Sequence, residues 1–195
     1  MNILVDALPE AIEIGGRAYA IRSDFRTALR ILMAFEDNEL ANLEKQLVLL
    51  ENLYRERPDN LPQAFAAGVR FLNMGDAGQD EEVEPGARVY SFSKDANLIF
   101  AAFRQTHGID LATADLHWWT FLALFMDLGS ETAFCNLVAL RRRVKTGKAT
   151  KEEWQTARAM GQVFDLPEVD TRSLTEREAE AEFMRLLNGS MHGGD

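Results

Sequence analysis

YSFSKDANLIFAAFRQTHGIDLATADLHWWTFLALFMDL, residues Tyr90 to Leu128, is the stretch whose reading decides the fold of this chain. Of the thirteen residues from Leu116 to Leu128, ten are apolar, and the exceptions His117, Thr120 and Asp127 fall on one narrow stripe at helical spacing. A helix apolar nearly all round must be surrounded by protein, so this segment is expected at the centre of the molecule. Upstream, Phe92, Ala96, Ile99 and Phe103 recur at three- and four-residue steps, which predicts a helix from Ser93 to His107 stopped by Gly108. Ile109 to Ala114 then connects the two helices, with Asp115 as the expected N-cap of the second. Trp118 and Trp119 point about 100° apart on a helix, so they can anchor two neighbours, one in the core and the other on a partner. With Phe121 and Phe125 they are the expected core anchors.

A chain of 195 residues with 47% hydrophobic content has ordinary globular composition and can bury roughly 70% of its unfolded surface. Its single cysteine, Cys135, sits in an apolar helical pattern, which excludes an intramolecular disulfide and predicts an intracellular protein. No apolar run approaches the ~20 residues of a membrane span, and MNILVDALPE lacks the regions of a signal peptide, so a cytoplasmic protein without a membrane partner is expected. The formal charge is −10, and only the block 89–151 is basic, with 8 Lys and Arg against 5 Asp and Glu. Such a chain is repelled by nucleic acid at long range, so a nucleic-acid partner is not expected unless a local patch overrides the repulsion.

The organisation predicted is mainly α, a bundle of about seven helices with a small N-terminal β-hairpin. Residues 1–75 hold the hairpin and the first helices, 76–88 an acidic mobile linker, 89–168 a central helical domain, and 169–195 a C-terminal amphipathic helix with a frayed tail. Gly15-Gly16 joins strands Ala11 to Ile14 and Arg17 to Ile21. Ser23 or Asp24 caps a helix that buries Phe25, Ala28, Leu29, Leu32 and Met33. The next helix, Glu39 to Glu56, carries Leu40, Leu43, Leu47, Leu50 and Tyr54 on one seam, too short for a supercoil and read first as internal packing. Pro58 ends it, and Asn60 caps a helix with the face Leu61, Phe65, Val69 and Leu72.

Later, Ser130 is the expected cap of a helix through Val144 with the stripe Phe134, Leu137, Val138 and Arg141. It ends in Arg141, Arg142, Arg143, Val144 and Lys145, followed by Lys148 and Lys151. Cations at a helix C-terminus are favoured by the helix dipole; the sharper reading of Arg141, Arg142, Arg143 and Lys145 is an electrostatic docking patch. Thr150 with Glu153 forms a capping box for a helix carrying Trp154, Ala157 and Gly161 until Asp165-Leu166-Pro167 ends it. A last helix begins at Ser173 and presents Ala179, Phe183, Leu186 and Leu187.

Motifs for catalysis are missing from the sequence. His107, His117 and His192 have no metal-ligand spacing, no phosphate loop or dinucleotide fingerprint occurs, and Cys135 has no identifiable base. His117 near Asp110 and Asp115 is read as a core histidine with one satisfied hydrogen bond rather than a metal ligand. No enzyme, cofactor or metal is expected.

The stretches LPEAIEIGGRAYAIRSDFRTALR, YSFSKDANLIFAAFRQTHGIDL and LHWWTFLALFMDL, with Phe164-Asp165-Leu166-Pro167, resemble a family of small proteins of long-tailed bacteriophages and prophages over about residues 8–168. Where that resemblance leads one to expect Tyr-Arg near position 140, this chain has Leu140-Arg141. The family is usually encoded in the siphophage tail cluster, between the major tail protein and the tape measure protein. That position implies a non-enzymatic tail assembly chaperone with the tape measure protein and tail tube protein as partners, self-association, and action in the cytoplasm of the bacterial host. Such a protein need not persist in the mature virion. The candidate client-binding faces are the seam Leu40, Leu43, Leu47, Leu50 and Tyr54 and the terminal face Phe183, Leu186 and Leu187. The competing classes are a structural or connector protein of the tail, and a nucleic-acid-binding regulator using Arg141 to Lys151.

Overall fold

The structure, a computed structural model, describes residues 3–75 and 88–166. Gly15 and Gly16 take φ of 59° and 80°, the left-handed angles a two-residue hairpin loop requires. Strand β1 (Ala11–Ile14) therefore turns straight back into β2 (Arg17–Ala20), with Ala11 opposite Ala20 and Ile14 opposite Arg17. Helices α1 (Phe25–Glu36), α2 (Asn42–Leu53) and α3 (Leu61–Leu72) follow. After residue 88 come α4 (Ala96–His107), α5 (Trp118–Met126), α6 (Ala133–Lys145), α7 (Lys151–Met160) and a 3₁₀ turn at Gly161–Val163. The fold is mainly α, seven helices with a two-stranded N-terminal sheet among the described residues, as the periodicity predicts.

Several helix ends follow from side-chain chemistry and stand where the sequence puts them. Asp24 Oδ1 accepts from the Arg26 N–H at 2.9 Å, Asn60 Oδ1 from Gln63 at 3.1 Å, and Thr150 and Glu153 cap each other reciprocally. Gly108 ends α4 with φ of 69°. Other ends are decided by tertiary contacts. Asp115 does not cap α5, because residues 116–118 are drawn out by a bridge to the start of α1: Phe25 donates to the Leu116 carbonyl at 3.1 Å and Trp118 to that of Ser23 at 2.7 Å. The cap is His117, whose Nδ1 accepts from the Trp119 N–H at 3.0 Å while Nε2 meets the Pro9 carbonyl at 3.1 Å. With Nδ1 accepting, Nε2 carries the proton, so both ring nitrogens serve the backbone.

The same logic shortens α2 relative to the expected Glu39 to Glu56. Arg22 donates to the Leu53 carbonyl at 2.8 Å and Arg55 to that of Ala20 at 3.0 Å, so the chain leaves the helix to extend the hairpin. Thr132, not Ser130, caps α6. Gly161, at φ of 51°, ends α7 before Asp165 is reached. The last turn of α5 also departs from expectation, since Met126 and Ala123 are exposed and only Trp118, Trp119 and Phe121 are buried. Ala96 lies at the surface, and Ala102 takes its place in the core.

The two tryptophans share one task rather than dividing two. The Trp118 indole N–H donates to the Leu72 carbonyl at 2.9 Å and the Trp119 indole N–H to that of Phe71 at 2.8 Å. These carbonyls belong to the last turn of α3, where i→i+4 donors run out; that of Phe71 also accepts from the Met74 N–H at 3.2 Å. Both side chains are buried, so neither is free to meet a partner. Two residues further, Phe121 stacks between Phe25 and Phe103 at centroid distances of 4.9 and 4.8 Å. Phe125, half-buried, lies against Tyr90, Phe92 and Phe134. Residues from either side of 76–87 thus form one core around α5.

Helix α3 packs on α2 through its small residues. A Cβ on Gly68 would lie 2.6 Å from Leu49 Cδ2 and 3.1 Å from Leu53 Cδ2. Ala64, Ala67, Gly68, Phe71 and Leu72 are the buried positions, and the expected Leu61, Phe65 and Val69 are only half-buried. Tyr54 closes this junction by donating its hydroxyl to the Ala64 carbonyl at 2.7 Å, and burial pushes its phenol up to about 12. An unfolded tyrosine ionises near 10, so this contribution is intact below pH ~10 and is lost as pH rises toward 12. A fall of about 2–3 kcal/mol across that window is expected from Tyr54. Urea titrations at pH 9 and above, with Tyr54→Phe as the reference that lacks the ionisation, check it.

Candidate interaction surface

The leucine seam proposed for partner binding is split by the fold. Leu49 and Leu53 turn into the core at Gly68, and Leu50 and Tyr54 are buried beside them, which corrects the reading of Leu50 and Tyr54 as surface residues. Leu40 is half-buried, whereas Leu43 is 67% exposed and Leu47 41% exposed. The reading of the seam as internal packing is therefore right for its second half and wrong for its first.

Leu47 stands at the mouth of a cleft of about 240 Å³ lined by Leu50, Tyr54, Pro58 and Leu61, with charged residues around it. Edges of the buried Leu50 and Tyr54 form its floor. Arginines hold the cleft in shape: Arg22 Nη1 donates to the carbonyls of Glu51, Asn52 and Tyr54, and Arg55 Nε to that of Ile21 at 3.2 Å. The Arg22 bonds satisfy carbonyls at the C-terminus of α2, where cations are also favoured by the dipole. Arg17, exposed, pairs with Glu56 at 2.9 Å. At the other end of α2 a more open depression of about 490 Å³ is lined by Met33, Glu36, Asp37, Asn38 and Leu40. The face Phe183, Leu186 and Leu187 lies outside the described residues.

Arg141 does not belong to a docking patch. It is fully buried, and its five N–H donors meet five acceptors: Asp95 Oδ2 at 2.6 Å and Oδ1 at 3.1 Å, and the carbonyls of Val89, Val163 and Phe164 at 3.2, 2.7 and 2.8 Å. Asp95 in turn accepts from the Ser91 N–H at 3.0 Å. The pair ties the start of α4 and the segment after residue 88 to the turn beyond α7. Arg143 is engaged with Glu153 at 2.7 Å, and Lys145 donates to the Arg88 carbonyl. Burial and the cations Arg141 and Arg88 hold the Lys145 ammonium below its ordinary range. Arg142, Arg143, Lys145, Lys148 and Lys151 remain exposed, so of this cluster only Arg141 is lost to the core. Trp154 is exposed too, between Lys151, Gln155 and Arg158.

Cys135 is a half-buried free thiol, with Sγ 3.5 Å from the Leu128 carbonyl. Among the described residues no group of three or more His, Cys, Asp and Glu is placed to hold a metal, and no helix is long and apolar enough to cross a membrane.

On this helical body Leu43 and Leu47 form an exposed apolar half-stripe, with Leu47 beside the cleft. Residues 4–166 match the model of the family described as bacteriophage Gp15 protein, and the chain belongs to that family. No curated protein and no solved structure matches it.

Proposed function

We propose that this protein is a non-enzymatic tail assembly chaperone that binds the tape measure protein in the host cytoplasm and yields it to tail tube subunits. Membership of a bacteriophage family places it in phage biology. The observation that carries the finer reading is the exposure of Leu43 and Leu47 on α2, with Leu47 bordering a cleft that Leu50, Tyr54, Pro58 and Leu61 also line, on a chain of net charge −10. An amphipathic client helix can lay apolar residues into such a groove, while the acidic body keeps the complex in solution. A structural or connector role in the tail draws on the same family membership and differs in that the protein stays in the finished particle. Burial of Arg141 removes a principal cation from the surface that a nucleic-acid regulator would use.

The test is co-expression with the tape measure protein of the same genome. The parent chain should hold the client in a soluble complex of several copies per client. Leu43→Asp with Leu47→Asp should fold with stability changed by no more than about 1 kcal/mol in all and lose the complex. A tape measure protein that is equally soluble and unbound with and without this chain overturns the proposal, and recovery of the chain from purified virions favours the connector.

A further inference from the structure

We infer that in the free protein the exposed half of the α2 stripe is covered by the same stripe of a second copy, in a two-fold antiparallel pair. Three features of α2 fit this occupant. First, the charges at its two ends are opposite. Asp37 and Glu39 precede it and are exposed. Arg55 and Arg57 follow it, with Arg22 beside them. Glu56 and Asp59 at that end are both paired with Arg17, which leaves three arginines against one further acid, Glu51.

Second, the stripe carries a protrusion and a recess about one turn apart on either side of Leu47. With Leu47 near a two-fold axis, Leu43 of each copy faces the partner's cleft, lined by Leu50, Tyr54 and Leu61, and the contact is reciprocal as an isologous interface requires. Third, the helix dipoles of an antiparallel pair oppose each other, and each acidic end meets a basic one; a parallel pair sets like charges together. At 12 residues, α2 is about 18 Å long, so the contact falls at the small end of specific interfaces and forms reversibly. The pair conceals in the free protein the leucines a client helix would occupy.

Sedimentation of the purified full chain without any tape measure protein, across a concentration series, tests the pair separately from the chaperone reading. The parent should shift from monomer to dimer as concentration rises, and Leu43→Asp should stay monomeric. Glu39→Arg and Arg57→Glu, both on exposed side chains, should each move the equilibrium toward monomer, with melting unchanged at concentrations where the parent is monomeric. The two reversals in one chain should restore the dimer, because an antiparallel pair sets position 39 near position 57 of the other copy. A parent that is monomeric throughout, a dimer indifferent to Leu43→Asp, or a double reversal that fails to restore association overturns the inference.

Discussion

Replacing Trp118 by alanine is expected to lower the unfolding free energy by about 3–5 kcal/mol, a large share of the 5–15 kcal/mol typical of a folded domain. The side chain is 1% exposed, its ring lies against Phe121, and its indole N–H holds the Leu72 carbonyl at the end of α3. Alanine therefore opens a cavity in the aromatic stack and leaves that carbonyl without a donor. Phenylalanine separates the two effects: it fills most of the volume but cannot donate, so Trp118→Phe should lose about 1–3 kcal/mol. Trp119→Ala should behave like Trp118→Ala, since Trp119 is also buried and holds the neighbouring Phe71 carbonyl. Urea denaturation followed by far-ultraviolet circular dichroism measures all three. Alanine variants as stable as the parent would refute the placement of α5 at the centre of the core.

Arg141 is the second position at which a large loss is expected. Arg141→Leu leaves Asp95 as a buried carboxylate without its cation and strands three backbone carbonyls, which should cost about 3–5 kcal/mol. Arg141→Lys keeps the charge but brings three donors to five acceptors, so an intermediate loss is expected. Adding Asp95→Asn to Arg141→Leu should recover part of the loss, because the amide removes the stranded charge and its oxygen can still accept from Ser91. The recovery separates the burial of an unpaired charge from the loss of packing, and a double mutant cycle in urea reads it directly. A surface-cluster arginine would show almost no effect in the same experiment.

Local chemistry made much of the fold legible. The hairpin at Gly15-Gly16, the caps Asp24, Asn60 and Thr150, the αL stop at Gly108 and the central position of Trp118 and Phe121 each depend on a few neighbouring residues or on periodicity. Such signals are complete within one or two helical turns. The family resemblance was legible in the same stretches, because they hold those signals in order.

The face of α2 and the fate of Arg141 were not legible. Helix α2 carries leucines at 43, 47, 49, 50 and 53, an arc of about 160° at 100° per residue, wider than a single core stripe needs, so periodicity admits two stripes. Gly68 on α3 chooses between them, because only the side lacking a Cβ lets Leu49 and Leu53 approach so closely, and Leu43 and Leu47 are left outside. Arg141 reads as one of three consecutive arginines at a helix end until Asp95 and three carbonyls from distant segments converge on it. The sequence by itself determined where helices start, stop and carry apolar residues, because those choices are settled by neighbours along the chain. Tertiary structure decided which apolar residues stay exposed and which cation is buried, because close approach and charge pairing are settled only between segments far apart in the chain.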